Sequence, residues 1–326
     1  MKLNLYDQEM NRIAIIGGRF ISCMWSEGYN ILQTFTLELQ ETQENKTKVK
    51  PDCYIGRDDR KTLMVIKTVM ANNGIITAMG KQATRCLDDA PFIGTISAGS
   101  QIDSSIKSAY EAGEGFAPFV FAKPQLAVRY GHQISNKSIL KLCESMCQDG
   151  DVGFRAVRSG SNILVEFYQP EENPNLIYSQ RLGNLVPECI TLSTENWKNY
   201  AIVLGAGEGD ARTRTDVDLS NGEHKRALIV DARDLIQEEA ETDEAYTLRL
   251  MARGREKLLE HQKTWSCAFL PLARDFGVRY DLGDILTVLL PDYGMKLKAR
   301  VTRFTQIEQQ NTVITTIEVG NITITR

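Results

Sequence analysis

Asp281-Leu282-Gly283-Asp284 sets two carboxylates around a glycine, just ahead of two apolar runs divided by Pro291-Asp292-Tyr293-Gly294. Acids at that spacing could share proton-transfer work or hold a hard cation through oxygen ligands. They could equally accept backbone N–H groups at the corner of a β-structure. The letters that follow favour the corner. Met295, Leu297, Ala299 and Val301 alternate with Lys296, Lys298, Arg300 and Thr302, the period of a strand with one buried face. The alternation slips at Arg303-Phe304, as it does at a β-bulge. Gly283 is therefore expected at a tight turn, with Asp281 and Asp284 as its structural acceptors and no catalytic duty.

Other candidate groups have plainer readings. Asp58-Asp59, and Asp216 with Asp218, lack the ladder of oxygen ligands and the closing glutamate of a calcium loop, so they read as solvated turn carboxylates. His132, His224 and His261 stand in no HExxH or HxH spacing, and no serine occupies a G-x-S-x-G elbow. Val203-Leu204-Gly205-Ala206-Gly207-Glu208-Gly209 follows a strand, but its G-x-G-x-G spacing and the lack of an apolar helical period after it argue against dinucleotide binding. Ile13-Ala14-Ile15-Ile16-Gly17-Gly18 is a similar decoy. Cys23, Cys53, Cys86, Cys189 and Cys267 are scattered singly. Cys143 and Cys147 are four apart on a helix, without the two further ligands that zinc needs. Buried free thiols are the better reading.

The elements that must position these residues are mostly strands. Leu3 to Asp7 and Arg12 to Ile16 flank a polar turn, and Thr34 to Leu39 alternates with period two. Cys53 to Gly56, Leu63 to Ile66 and Ile75 to Ala78 follow, the last after an Asn72-Asn73-Gly74 turn. Past Asp89-Ala90-Pro91 the texture changes. A short helix is predicted over Asp103 to Ala112, and a second one, capped by Ser135, carries Ile139, Leu140, Leu142, Cys143 and Met146. A hairpin turns at Ser159 to Asn162, and Gln169 to Pro174 reads as a linker. Strands resume at Ile190 to Leu192 and Tyr200 to Leu204. Gly205 to Glu223 reads as a charged loop, and Arg226 to Asp231 as a strand. A long helix is expected from Thr242, its N-cap, to about Gln262, with Ala245, Leu248, Met251, Ala252, Leu258 and Leu259 as its apolar stripe. Arg57 to Gly80 can be laid beside Tyr280 to Val301: an acidic corner, an apolar strand, a short glycine loop, a second strand.

The chain has 326 residues, a formal charge of -4, 42% hydrophobic and 25% charged residues. That length calls for more than one domain, and the mixed charge lacks the basic excess of a protein that grips nucleic acid. No apolar run is long enough for a membrane helix and no signal-peptide core opens the chain, so synthesis and folding in a cytoplasm are expected. The fold class expected is mainly β with α+β insertions. Residues 1–92 form a first β-barrel-like domain, 93–172 a small α+β module, and 173–326 a second barrel-like domain interrupted by a helical segment around 232–275.

Across nearly the whole chain these stretches resemble the siphophage tail-hub proteins, which share a fold with the trimeric hub of contractile-phage baseplates. Leu5-Tyr6-Asp7 through Asn11-Arg12-Ile13 is similar to that family's opening hairpin. Trp25-Ser26-Glu27-Gly28-Tyr29 leads into Phe35 to Leu39 as its Trp-acid-x-Tyr stretch does. Ala78-Met79-Gly80-Lys81 to Leu87-Asp88, Val230 to Asp234, Arg253 to Leu258 and Tyr280 to Asp284 follow in family order. The resemblance implies a structural protein with no catalytic residues, no cofactor and no metal. It implies two tube domains per chain in a homotrimer, giving a pseudo-sixfold ring that joins a sixfold tail tube to a threefold tip and lines the DNA exit channel. The place implied is the tail tip of a phage, prophage or tail-like particle. Implied partners are the distal-tail and tail-tube proteins, the tape-measure protein and a separate tip fibre or receptor-binding protein. DNA would be passing cargo, and the chain would not insert in a membrane. Many relatives carry a C-terminal fibre or a peptidoglycan-cleaving domain; this chain stops at Arg326, so those tasks are expected of another protein. The loop from Gly205 to Glu223 is longer than a tube connection requires and is assigned to a neighbouring tail component. Two other classes remain open: a carbohydrate- or wall-active β-protein with an acid-lined cleft, and a receptor-binding module with exposed aromatics. Trp25, Trp197 and Trp265 lie beside or within strand patterns, which argues for their burial.

Overall fold

The computed structural model describes all residues except 114–118, 186, 239–240, 270–274, 311 and 326. It divides into two compact units, Met1–Cys189 with Cys267–Arg326, and Ile190–Ser266. The fold is mainly β with α+β insertions, as the sequence leads one to expect.

The first unit is built on one large sheet. β1 (Leu3–Tyr6) and β2 (Arg12–Gly17) form a hairpin, followed by β3 (Ser22–Gly28), β4 (Thr34–Gln40), the short helix α1 (Gln43–Lys48), β5 (Tyr54–Arg57), β6 (Met64–Asn72) and β7 (Ile75–Gln82). Their order in the sheet is β2-β1-β5-β6-β7-β4-β3. Burial alternates along β4 as its period-two sequence predicts, and Leu3, Leu5, Trp25, Phe35, Leu37 and Ile55 fill the inner side. Asn73 and Gly74 both take positive φ, the geometry that a two-residue hairpin turn demands.

The α+β segment packs against this sheet and shares a core with Tyr6, Tyr54, Leu63 and Val65. It holds β8 (Pro91–Ile96), α2 (Ile102–Glu111), β9 (Phe119–Phe121), β10 (Ile134–Ser138), α3 (Ile139–Asp149), β11 (Gly153–Ser159) and β12 (Asn162–Tyr168). The cap of α3 is Ser138, not the expected Ser135. Ser138 is the last extended residue, and its hydroxyl accepts from the Lys141 N–H, whereas Ser135 lies in β10 paired to Thr95. Cys143 and Cys147 are both fully buried on α3, and burial pushes both thiols up. β13 (Glu172–Ser179) starts inside the stretch expected to be a linker.

β14 (Pro187–Ser193) leads into the second unit. There β15 (Tyr200–Leu204), β16 (Arg214–Asp218) and β17 (Ala227–Asp231) form a sheet ordered β16-β15-β17, covered by α4 (Asp243–Leu259). β16 lies within the expected loop. Its Val217 alternates inward between Asp216 and Asp218, a pattern that charged neighbours conceal in the sequence. Thr242 caps α4 as expected, accepting from the Ala245 N–H at 3.2 Å. The buried face differs from the expected stripe. Tyr246, Leu250, Gly254 and Leu258 face the sheet, while Leu248 and Leu259 are 65% exposed. The reason is Gly254: a Cβ there would stand 2.7 Å from Val203 and 2.8 Å from Val217, so the helix makes its closest approach along the row that a hydrophobicity count ignores.

β18 (Thr264–Phe269), β19 (Ile285–Leu290), β20 (Met295–Gln309) and β21 (Thr312–Thr325) return to the large sheet. β21 pairs along one edge of β20. On the other edge β20 pairs first with β19, from Met295 to Arg300, then with β3, from Arg303 to Gln309. The register shifts between Val301 and Arg303, where the sequence alternation slips. Strands from both ends of the chain therefore belong to one sheet.

Candidate functional site: a charged corner and an open sheet face

Gly283 lies at φ +92°, a conformation costly for any residue with a Cβ. An added Cβ would stand 2.5 Å from the Tyr29 ring and 3.0 Å from Pro170. Asp284 accepts the N–H groups of Asp281 at 2.7 Å and Glu171 at 2.8 Å. Burial raises its carboxyl above the usual range despite those two donors. Asp281 accepts the Leu282 N–H, and it also takes Arg155 at 3.1 Å and Arg60 at 3.3 Å.

Those two arginines belong to a cluster that sequence reasoning did not assemble. Glu27 is 0% exposed, and Arg60 grips both its oxygens at 2.9 Å. Thr62 donates to it at 2.7 Å and the Trp25 indole N–H at 2.8 Å. Burial alone would raise the Glu27 carboxyl, but the Arg60 charge and these donors outweigh it, and its pKa lies below the ordinary value. The Arg60 guanidinium also lies over Phe276 and Phe304, which stack at 4.7 Å. Arg155 bridges Asp281 to Glu166 and covers the Tyr168 ring. β3, the β5–β6 connection, β11 and the turn before β19 are thus tied by one network. A signal for Glu27 was available. Along β3 it falls on the same face as Cys23 and Trp25, so a carboxylate at that register must be buried and needs a cation. Its partner, 33 residues away, had no local mark.

The opposite face of the sheet is open. Register carries one row across six strands as Ile314, Ile307, Met24, Thr36, Met79 and Thr68. The next row runs Thr312, Gln309, Ser22, Glu38, Thr77 and Met70. Ile314 and Met70 are each 50% exposed. Glu38 is the one charge in these two rows, and it accepts the Ser22 hydroxyl at 2.7 Å.

The remaining candidates do not converge. Asp58 accepts from Asn4, Asp59 holds Arg57, Asp216 pairs with Arg214 and Asp218 with Lys225. His132 lies 3.5 Å from Asp149, and His261 bonds the Asn196 carbonyl. Trp25 is buried, and Trp197 is half-buried under Arg226 and Lys263. The side chains of Trp265, Cys189 and Cys267 lie outside those described. Among the described residues no group of three or more His, Cys, Asp or Glu is placed to hold a metal, and no helix is long and apolar enough to cross a membrane.

A family model described as Siphovirus ReqiPepy6 Gp37-like protein matches residues 118–321, well over half of the chain. No curated protein sequence matches. Solved structures share the fold at low identity. A prophage tail protein gp18 from Listeria monocytogenes EGD-e is 11% identical, with a TM-score of 0.59 over 98% of this chain and 94% of that one. The 43 kDa tail protein of prophage MuSo2 from Shewanella oneidensis is 12% identical, with a TM-score of 0.61 over 98% and 97%. A tail protein from Neisseria meningitidis MC58 is 10% identical, with a TM-score of 0.60 over 98% and 96%.

Proposed function

The chain belongs to the Siphovirus ReqiPepy6 Gp37-like family, and from that premise we propose that it is the hub of a phage tail tip, assembled as a homotrimer. Residues 1–92 and 173–326 act as two tube domains, with 93–172 as a module beside them. Six such domains per trimer would offer a sixfold tube a matching ring, while three chains offer a threefold tip the symmetry it needs.

The observation that carries this reading is the open sheet face. Its strands come from both ends of the chain, joined where β20 pairs with β3, and its two described rows hold a single carboxylate and no cation. Lys81 and Arg303 enter the same face only in the rows beyond, and a wall with so few cations releases few counterions from DNA and so holds it weakly. We assign this face to the channel, with DNA as passing cargo. The network around Glu27 and Asp281 then serves as the brace that holds the face in register, and the Gly283 turn as its structural corner. No catalytic step is assigned to Asp281 or Asp284. The partners proposed are the tail-tube and distal-tail proteins, the tape-measure protein and a separate tip fibre.

The test is the mass of the purified protein in solution together with images of assembled tails. A trimer and a ring at the tip are expected. A monomer at all concentrations, with no ring in tails, overturns the proposal.

A further inference from the structure

Among the described residues β2 pairs only with β1, and no described strand lies along its other backbone edge. β3, the next strand of the chain, pairs with β4 and β20 instead. Beside the bare edge lies a cleft of about 430 Å³, walled by Ile15 and Ile16 of β2, Phe20 and Ile21 of the following loop, Leu39 of β4 and the start of α1. Ile15 is 56% exposed at its rim.

A bare edge next to a cleft with apolar side chains along its β2 wall and polar ones from Gln40 to Asn45 opposite is the geometry of strand addition: backbone bonds supply affinity and every second side chain enters the cleft. Charges at an edge also guard against aggregation, and Arg12 and Arg19 at the two ends of β2 could do only that. Elsewhere the same unit covers part of an edge with a side chain. At β13 the Asn184 side chain donates to the Ile177 carbonyl and accepts from the Ser179 N–H, both at 2.8 Å, taking up the strand's outer groups. Among the described residues no side chain covers β2 in this way, and the loop after it supplies one backbone bond, from the Arg19 N–H to the Ile16 carbonyl at 3.1 Å. Neither Arg12 nor Arg19 has a carboxylate within ion-pair distance among the described residues, and Glu44, at the cleft's far wall, is held by Lys48.

We infer that the β2 edge receives an extended segment of another polypeptide, apolar at alternate positions and carrying a carboxylate near each end to meet Arg12 and Arg19. This does not depend on the trimer, because the edge and cleft lie within one chain.

The experiment titrates the full chain with two capped heptapeptides of alternating valine and threonine, one ended by glutamates and its twin by lysines. The glutamate-ended peptide should bind at least about tenfold more tightly, with a preference that weakens as salt rises. Arg12→Glu with Arg19→Glu should reverse the order, and Ile15→Lys should abolish binding of both. Thermal unfolding verifies that each variant is folded; should the reversed pair fail, Arg12→Ala with Arg19→Ala must still remove the preference. No binding by either peptide, equal binding, or binding indifferent to Ile15→Lys overturns the inference. So does a change in the oligomeric state of Ile15→Lys without peptide binding to the parent chain, which would give the edge to a second copy.

Discussion

Ahead of β6 the chain reads Arg57-Asp58-Asp59-Arg60, and ahead of β19 it reads Asp281-Leu282-Gly283-Asp284. Each corner leads into an apolar strand and then a hairpin turned at a glycine with positive φ, Gly74 in one and Gly294 in the other. At the first corner the aspartates face outward, while Arg57 lies over Trp25 and Arg60 reaches Glu27. At the second, Asp284 turns back onto backbone N–H groups and Asp281 reaches inward to arginines. The two corners share an order of elements rather than a backbone, since only the second holds a residue at positive φ, and the 3.3 Å contact between Arg60 and Asp281 joins one corner to the other. An arginine turned inward at one corner and an aspartate at the other brace each other, which two inward-facing acids would not.

The sharpest way to break the comparison is at its one irreplaceable backbone. Gly283→Val meets both an unfavourable φ and the Tyr29 ring, so soluble folded protein should be lost, as read by yield and thermal unfolding. A smaller but still large effect is expected at the buried anion. Glu27→Gln leaves Arg60 buried with only Asp281, and should cost about 3–5 kcal/mol in denaturant unfolding. Asp281→Asn removes a partner that is a third exposed, so about 1–2 kcal/mol is expected. A cost equal to that of Glu27→Gln would mean the two corners are not ranked by burial.

The same comparison predicts a pH dependence. The folded Glu27 carboxyl lies below its unfolded value of about 4.3, so its stabilisation is complete above that pH and is lost as pH falls through the folded value. Melting temperature should drop on acidification below roughly pH 4, and Glu27→Gln should flatten that part of the profile. Asp284→Asn keeps an acceptor oxygen for only one of the two backbone N–H groups and sets its NH2 against the other, so a cost of about 1–2 kcal/mol, close to that of Asp281→Asn, is expected in denaturant unfolding.

Much of this was legible in short-range pattern. The strand after the turn, the bulge near Arg303, the Thr242 cap and the Asn73-Gly74 turn follow from period, φ preference and capping chemistry, all of them local. What escaped depends on distance. Arg60 and Arg155 meet Asp281 from 221 and 126 residues away, and no spacing announces that. The face of α4 was misjudged because the sheet wanted the smallest residue, Gly254, at its closest approach, and a stripe of large apolar letters pointed elsewhere. β16 was hidden because its outward positions are all charged.

Both ends of this chain supply strands to one sheet, and in the proposed threefold hub that sheet is one wall. Electron microscopy of assembled tails labelled on this protein tests it most directly. Three labels on one ring at the tail tip are expected, with the face carrying Met24, Thr36 and Met79 toward the channel. Label spread along the tube, or a ring in which that face points outward, would contradict it.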